Sequence, residues 1–318
     1  MPRVSVLVLE GVFDSGLSVV VDTLATANEL AQGTRSSRFE VTLCGLRRTA
    51  STRHGFRIPV TPASDAAKPD IVVVPAIGCM TRETVLAMLE RSDVGDACEM
   101  LRAWARSGAR IAGACTATFL LGQSGVLDGG RATTTWWLSP VFRERFPSVS
   151  LDESKMIVES SRVVTAGAAL AHVDLALWLV RRTSPTLADA TARYLVYDAR
   201  PSQAAYMLPD HLAHADPLVE RFEAWARRHL ASFTLEEAAR GVGASERTLQ
   251  RRIRTVLGKS PLSYVQDLRV ETAIYRLRTT KDSIDQIASA VGYGDGVTLR
   301  TLLRKKTGRG VRELRAAT

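Results

Sequence analysis

The chain has 318 residues, 46% of them hydrophobic and 24% charged, with four cysteines and a net charge of +9. That length suits two domains better than one core, and the composition is that of a folded chain, not a disordered or fibrous one. The pI near 9.8 points to an anionic partner, and the excess is local: Asp210 to Thr318 carry 20 Lys and Arg against 13 Asp and Glu, whereas residues 1–209 carry 22 against 20.

The apolar start, VSVLVLEGVF, is too short for an export signal and lacks a cleavage site. VSVLVLE, FEVTLCGL, DIVVVPAIG, ARIAGAC and RVVTAGA read as buried strands, rich in β-branched residues and followed by small ones. Between them, LSVVVDTLATANELAQG, TRETVLAMLERS and CEMLRAWARSG carry helical spacing, and the last stops at Gly108. The alternation predicts an α/β domain over 1–198: a flavodoxin-like, mainly parallel sheet with helices on both faces. Ligands of such sheets sit beyond the carboxyl ends of the strands. Cys44, Cys79, Cys98 and Cys115 have no metal-ligand spacing, so no metal or cofactor is called for and a reducing cytoplasm is expected. The stretch VVTAGAALAHVDLALWLV is broken by Gly167, His172 and Asp174, which argues against a membrane span.

After about Thr186 the strand pattern ends. A helix, TLADATARYLVY, leads into a proline-broken linker over 199–216, and residues 217–318 read as all-α. This last part repeats. Leu235, Val242 and Gly243 match Ile284, Val291 and Gly292 at an offset of 49, and Leu249, Ile253 and Gly258 match Leu299, Leu303 and Gly308 at an offset of 50. Each copy is a short helix, a tight glycine turn and a second helix: two helix-turn-helix units, with Thr234, Ser283 and Ser245 as N-caps. Small residues at Ala239 and Ala288 let the paired helices cross closely. Arg247, Gln250, Arg251 and Arg254 share one side of the first reading helix. Arg matches guanine O6 and N7 and Gln matches adenine, so Gln250 and Arg251 are natural base readers. In the second copy Thr298, Arg300, Thr301 and Arg304 take that place, with Lys305 and Lys306 set for phosphates.

Over about 217–316 the sequence resembles the AraC/XylS family of bacterial regulators, through LQRRIRTVLGKSPLSYVQDLRVETA, the helix that follows and IDQIASAVGYGD. The resemblance implies one chain with two such units joined by a long helix, here about Pro261 to Arg278, whose reading helices enter successive major-groove faces about 34 Å apart. This chain departs from that pattern in Leu299 and Leu303 where an aromatic residue is usual, near Gly310 or Val311 where proline is usual, and in Arg300, one residue ahead of the Arg expected at Thr301. The departures imply a second unit that reads bases less strictly, or bends its DNA differently.

In the first half, the strand of ARIAGACTATFLLGQSGVLDGGRATTTWW ends at Gly113, Cys115 follows, and a helix opens at Thr116. A thiol on such a turn stands above the sheet, where a helix N-terminus favours thiolate and backbone N–H groups hold an oxyanion. Cys115 is therefore a candidate nucleophile; a buried structural cysteine is the alternative. This half resembles the ThiJ/PfpI group of the class I glutamine-amidotransferase-like superfamily, and the whole chain is similar to GlxA-type regulators through that segment, VTAGAALAHVDLALWLV and ARPSQ. The resemblance implies a histidine partner in the RATT-x-W segment, where Thr135 stands, and a hydroxyl cannot act as the general base. It also implies an acid after the first strand, Glu10 or Asp14, and a backbone N–H at Gly78 facing the cysteine. His172 either reaches Cys115 from another direction or lies at a subunit contact or a partly exposed helix start. Trp136 and Trp137 are expected in the core, or as a wall of the pocket or an interface.

These readings favour a small-molecule sensing pocket of Glu10, Asp14, Gly78, Cys115, Thr116, Thr135 and His172 over an enzyme. The expectation is a cytoplasmic homodimeric transcription regulator. Its partners are promoter or operator DNA, an unknown small-molecule effector and, in an activator, RNA polymerase, with no membrane. The alternatives are a Cys-dependent amidohydrolase or deglycase-like enzyme tethered to DNA, and a nonspecific chromosome-binding protein.

Overall fold

The computed structural model describes residues 1–318 except 33–37, 199, 201, 204, 205, 208–211, 213, 215, 317 and 318. It divides into two units, Met1–Gln203 and Ala204–Thr318. The linker expected over 199–216 lies largely outside the described residues, and Ser202 and Gln203 belong to the first unit.

The apolar runs of the first unit pair as strands of one sheet. In chain order its elements are β1 (Arg3–Leu7), α1 (Asp14–Leu30), β2 (Glu40–Gly45), β3 (Thr49–Ser51), β4 (Arg57–Pro59), β5 (Thr61–Pro62) and β6 (Ile71–Val74). Then come α2 (Arg82–Leu89), α3 (Ser92–Arg106), β7 (Arg110–Ala114), α4 (Ala117–Gln123), β8 (Arg131–Ala132), α5 (Ser139–Arg145) and β9 (Ser150–Leu151). The unit ends with β10 (Ile157–Ser160), β11 (Val163–Ala166), α6 (Ala171–Thr183) and α7 (Pro185–Tyr194). The sheet order is β10-β11-β7-β6-β1-β2-β5. All neighbours are parallel except β10 with β11, an antiparallel edge that the sequence pattern did not announce.

Alternate strand residues face opposite layers. Val4, Val6, Ala112 and Ala114 join Leu17, Val20 and Leu24 of α1 and Leu175 and Leu179 of α6 in one buried cluster. Gly113 faces the other way, and a Cβ there would come 2.8 Å from Leu121 of α4. Helices therefore cover both faces. The stretch VVTAGAALAHVDLALWLV divides into β11 and α6, and among the described residues no helix is long and apolar enough to cross a membrane.

The second unit is helical: α8 (Pro217–Arg228), α9 (Leu235–Gly241), α10 (Glu246–Leu257), α11 (Pro261–Thr279), α12 (Ile284–Ala290), α13 (Gly296–Thr307) and α14 (Val311–Ala316). Thr234, Ser245 and Ser283 cap α9, α10 and α12 by accepting N–H groups of the first turn. Asp295 caps α13, in the turn that is one residue longer than its counterpart. Both turns need a left-handed residue, and Gly243 (φ 71°) and Gly292 (φ 87°) supply it. Ala239 and Ala288 are buried, as are Leu249 and Ile253 of α10 and Leu299 and Leu303 of α13.

Since Ala239 has no room to grow, Ala239→Leu is expected to destabilise the second unit by about 1–3 kcal/mol. Thermal denaturation followed by circular dichroism measures this; an unchanged melting profile refutes the close-packed crossing.

Candidate functional site

Cys115 leaves β7 with a left-handed backbone, φ 57°, the strained strand-to-helix turn expected from its motif. The thiol is not exposed above the sheet, however. Cys115 is buried, and burial pushes its pKa up to about 11 against the small lowering by the Thr116 backbone and the Thr135 hydroxyl. Desolvation outweighs the start of α4, which has only seven residues. Thr135 is itself fully buried, and beyond its weak contact with the Cys115 thiol its Oγ1 has no hydrogen-bond partner among the described residues. Thr116 donates from Oγ1 to Ile77 O at 2.5 Å, which ties the start of α4 to the loop after β6.

The residues expected around Cys115 are largely engaged elsewhere. His172 is fully buried rather than partly exposed. Its Nε2 accepts the Ala76 N–H at 3.0 Å, so Nδ1 carries the proton and donates to Ala169 O. Burial lowers its pKa to about 4. Both nitrogens being used, the imidazole has no lone pair left with which to deprotonate Cys115. The Gly78 N–H, expected to face the cysteine, instead donates to Gly11 O at 2.9 Å, and the Arg53 side chain lies across Gly78. Burial raises the Asp14 carboxyl, but hydrogen bonds from Thr52 and His54 overcome this and hold it below its usual range.

Glu10 accepts the Ser51 N–H and lines an open cleft of about 390 Å³ with Leu46, Arg47, Arg91, Ser92 and Asp96. Cys115, Thr116, Thr135 and His172 do not line it. The cleft sits at the carboxyl end of β1, from which the chain runs to β2 on one side and later to β6 on the other. That is a topological switch point, the usual ligand position in an open parallel sheet.

Residues 133–135 are held from behind by the end of the unit. Thr134 donates from its hydroxyl to Cys115 O at 2.9 Å, and its own carbonyl accepts Nε2 of Gln203 at 2.8 Å. Gln203 is fully buried against Gly167, where a Cβ would overlap its amide at 2.6 Å. Upstream, Arg200 pairs with buried Asp174 at 2.8 Å and donates to the Tyr197 hydroxyl, which donates to the same carboxylate at 2.6 Å. Gln203 is thus a strap that binds the end of the unit to the wall beside Cys115, with Arg200 fastened upstream to α6. Trp136 is buried, and Trp137 donates from its indole to Met80 O.

In the second unit Arg247, Gln250, Arg251 and Arg254 are exposed on α10 and, among the described residues, have no side-chain partner. On α13, Arg300 and Arg304 are likewise free, but Thr298 and Thr301 turn their hydroxyls back to Asp295 and Val297 O. Lys306, expected at phosphates, is paired with Asp267 at 2.8 Å. Val297 was not anticipated. It is 66% exposed near the start of α13, where an isopropyl group can meet a thymine methyl. Its signal in the sequence is an apolar residue outside the buried Leu299–Leu303 stripe.

An α/β sensor-like unit followed by a double helix-turn-helix unit defines the class. Residues 2–182 match the model of the DJ-1/PfpI family, and residues 238–317 match that of a helix-turn-helix domain. The chain belongs to the DJ-1/PfpI family and carries an AraC-type helix-turn-helix region at its C-terminal end. It is 26% identical over 282 residues to the HTH-type transcriptional regulator GbdR of Pseudomonas aeruginosa, across 87% of this chain and 74% of that one. It is 30% identical over 201 residues to the HTH-type transcriptional regulator ArgR of the same organism, across 62% of this chain and 61% of that one. The fold also matches the crystal structure of an AraC family transcriptional regulator from Pseudomonas putida, with a TM-score of 0.52 and 24% identity, over 61% of this chain and all of that one.

Two outcomes are expected of the buried groups. The unfolded chain protonates His172 near pH 6.5 and the folded chain only near 4, so its stabilising effect is complete above pH 6.5 and is lost as pH falls towards 4. Between pH 7 and 5 the native protein should lose about 2 kcal/mol more stability than His172→Gln, by urea denaturation. Equal losses refute the buried neutral imidazole. All four cysteines are buried and unpaired, so a thiol reagent at pH 7.5 should leave them unmodified while labelling all four in denaturant. Rapid labelling of Cys115 in the native protein contradicts the burial.

Proposed function

We propose that this chain is a transcription regulator whose hold on DNA is set by a small molecule bound to its α/β unit. DNA binding rests on one observation above all: two helix-turn-helix copies, capped and turned alike, each presenting unpartnered arginines on its outer face. A solvated surface helix accounts for one such face, not for two in register.

The effector is read at the cleft lined by Glu10, Arg47 and Arg91, which lies at the switch point of the sheet. Its mixed charges suit a small polar molecule that carries charge of its own. The strap supports a route for the signal, because Gln203 joins the Cys115 wall to the residues that lead into the second unit. A ligand acts by favouring one arrangement of that wall over another. The α/β unit dimerises, which brings four reading helices to one DNA site in the cytoplasm and links their binding. An activating regulator of this kind also meets RNA polymerase.

An enzyme built on Cys115 needs an ionised thiol and a base. The raised pKa, Thr135 in place of a histidine and the fully engaged His172 all weigh against it. We therefore read Cys115 as part of the wall.

Arg251→Ala is expected to cost at least ~1 kcal/mol on a duplex selected by the protein from a random library, and little on scrambled DNA. Titrations at one fixed salt concentration measure this. Equal affinity of the wild-type protein for selected and scrambled duplexes would falsify the sequence-specific reading and leave a nonspecific chromosome-binding protein.

A further inference from the structure

The two reading helices are tied to one carboxylate. Asp267, on the joining helix α11, accepts Lys259 Nζ on Oδ2 at 2.9 Å and Lys306 Nζ on Oδ1 at 2.8 Å. Lys259 directly follows Gly258, the left-handed cap that ends α10, and Lys306 lies in the last turn of α13. One side chain thus holds the carboxyl end of each reading helix, and the cluster is largely shielded, with side-chain exposures of 15%, 24% and 31% for Lys259, Asp267 and Lys306. Without the carboxylate two ammonium groups would converge with nothing between them.

A second tie lies two residues further along. Arg269 donates to Leu230 O, just past α8, at 3.0 and 2.9 Å from Nε and Nη2. The same guanidinium lies 5.1 Å from the centre of the Tyr293 ring, in the turn of the second copy. Gly292 completes this contact: a Cβ there would stand 2.4 Å from Ala231 O, so only glycine lets the second turn approach the end of α8 so closely. The carboxylate thus joins the ends of α10 and α13, and the second contact joins the end of α8 to the turn of the second copy.

We infer that Asp267 is a positioning residue that sets the spacing and phase of the two DNA segments the protein reads, with Arg269 and Gly292 as its second point of support. This rests on the DNA-binding reading above. One inserted base pair moves the second segment by about 3.4 Å and turns it by about a tenth of a helical turn. A reader with a fixed span cannot follow that shift, whereas a hinged one can.

The test uses the full chain and the duplex it selects from a random library, with and without one base pair inserted between the two footprinted segments. The wild-type protein should lose about tenfold or more in affinity on insertion. For Asp267→Asn, still folded by circular dichroism, the insertion penalty should shrink to about threefold or less, because the ion pairs that join the ends of α10 and α13 are weakened. Lys306→Gln, which leaves the Lys259 pair intact, should also reduce the penalty. An unchanged penalty in both variants, or in Lys306→Gln alone if Asp267→Asn does not fold, overturns the inference. Uniform weakening on both duplexes with a shallower salt slope would instead make Lys306 a phosphate contact, which also overturns it. A wild-type protein that selects no sequence defeats the DNA reading itself, a separate result.

Discussion

The hydroxyl of Thr134 donates to the carbonyl of Cys115 while the carbonyl of Thr134 receives the amide of Gln203. This two-bond relay decides what the carboxyl end of the sheet can be. The turn at Cys115 is strained, and its geometry persists only because neighbours over-determine it. Each buried polar group of the relay must find a partner or forfeit about 1–3 kcal/mol, so the strap cannot leave without exposing the threonine wall. The relay itself is held from both sides, while Thr135 Oγ1 and Gln203 Oε1 stay buried beside it without a hydrogen-bond partner among the described residues.

The turn that carries Cys115 is closed to solvent. Water is excluded around Cys115, which makes the thiolate expensive, and the imidazole that lies at the same end of the sheet is neutral and doubly bonded. Gly16 is part of the same economy of space, since a Cβ there would fall 2.7 Å from His172 Nε2. The open cleft beside Glu10 is the part of this end that still faces solvent with charged groups to offer. A binding function fits such a distribution of closed and open polar groups better than turnover does.

The second unit solves a different problem, namely how to keep two short reading helices rigid when neither buries much surface. Leu249 and Ile253 anchor α10, and Leu299 and Leu303 anchor α13, through narrow apolar stripes. The outward faces must stay free for DNA. Orientation is therefore supplied from the inner side by charges: Asp216 caps α8 and also binds Arg252, and Asp267 gathers Lys259 and Lys306. Adjacent basic residues on one helix thus divide by partner: Arg252 is bound to Asp216, whereas Arg251 has no side-chain partner among the described residues.

Much of this was legible without coordinates. Strand runs, the helix caps Thr234, Ser245 and Ser283, the glycine turns and the offset of 49 that becomes 50 are local patterns, set by residues within a few positions of one another. The outward arginines follow from the same periodicity. What periodicity cannot carry is which distant group meets which. Ala76 and His172 are 96 residues apart, Gln203 and Thr134 are 69, and Lys306 and Asp267 are 39. Those meetings made His172 a buried acceptor, fixed the Thr134 carbonyl and paired Lys306 with Asp267, and Gly11 O likewise takes the Gly78 N–H expected at Cys115. The chain by itself determined two domains and a double helix-turn-helix; only tertiary packing, by assigning burial and hydrogen-bond partners, decided that the Cys115 thiol is buried and that Asp267 gathers Lys259 and Lys306.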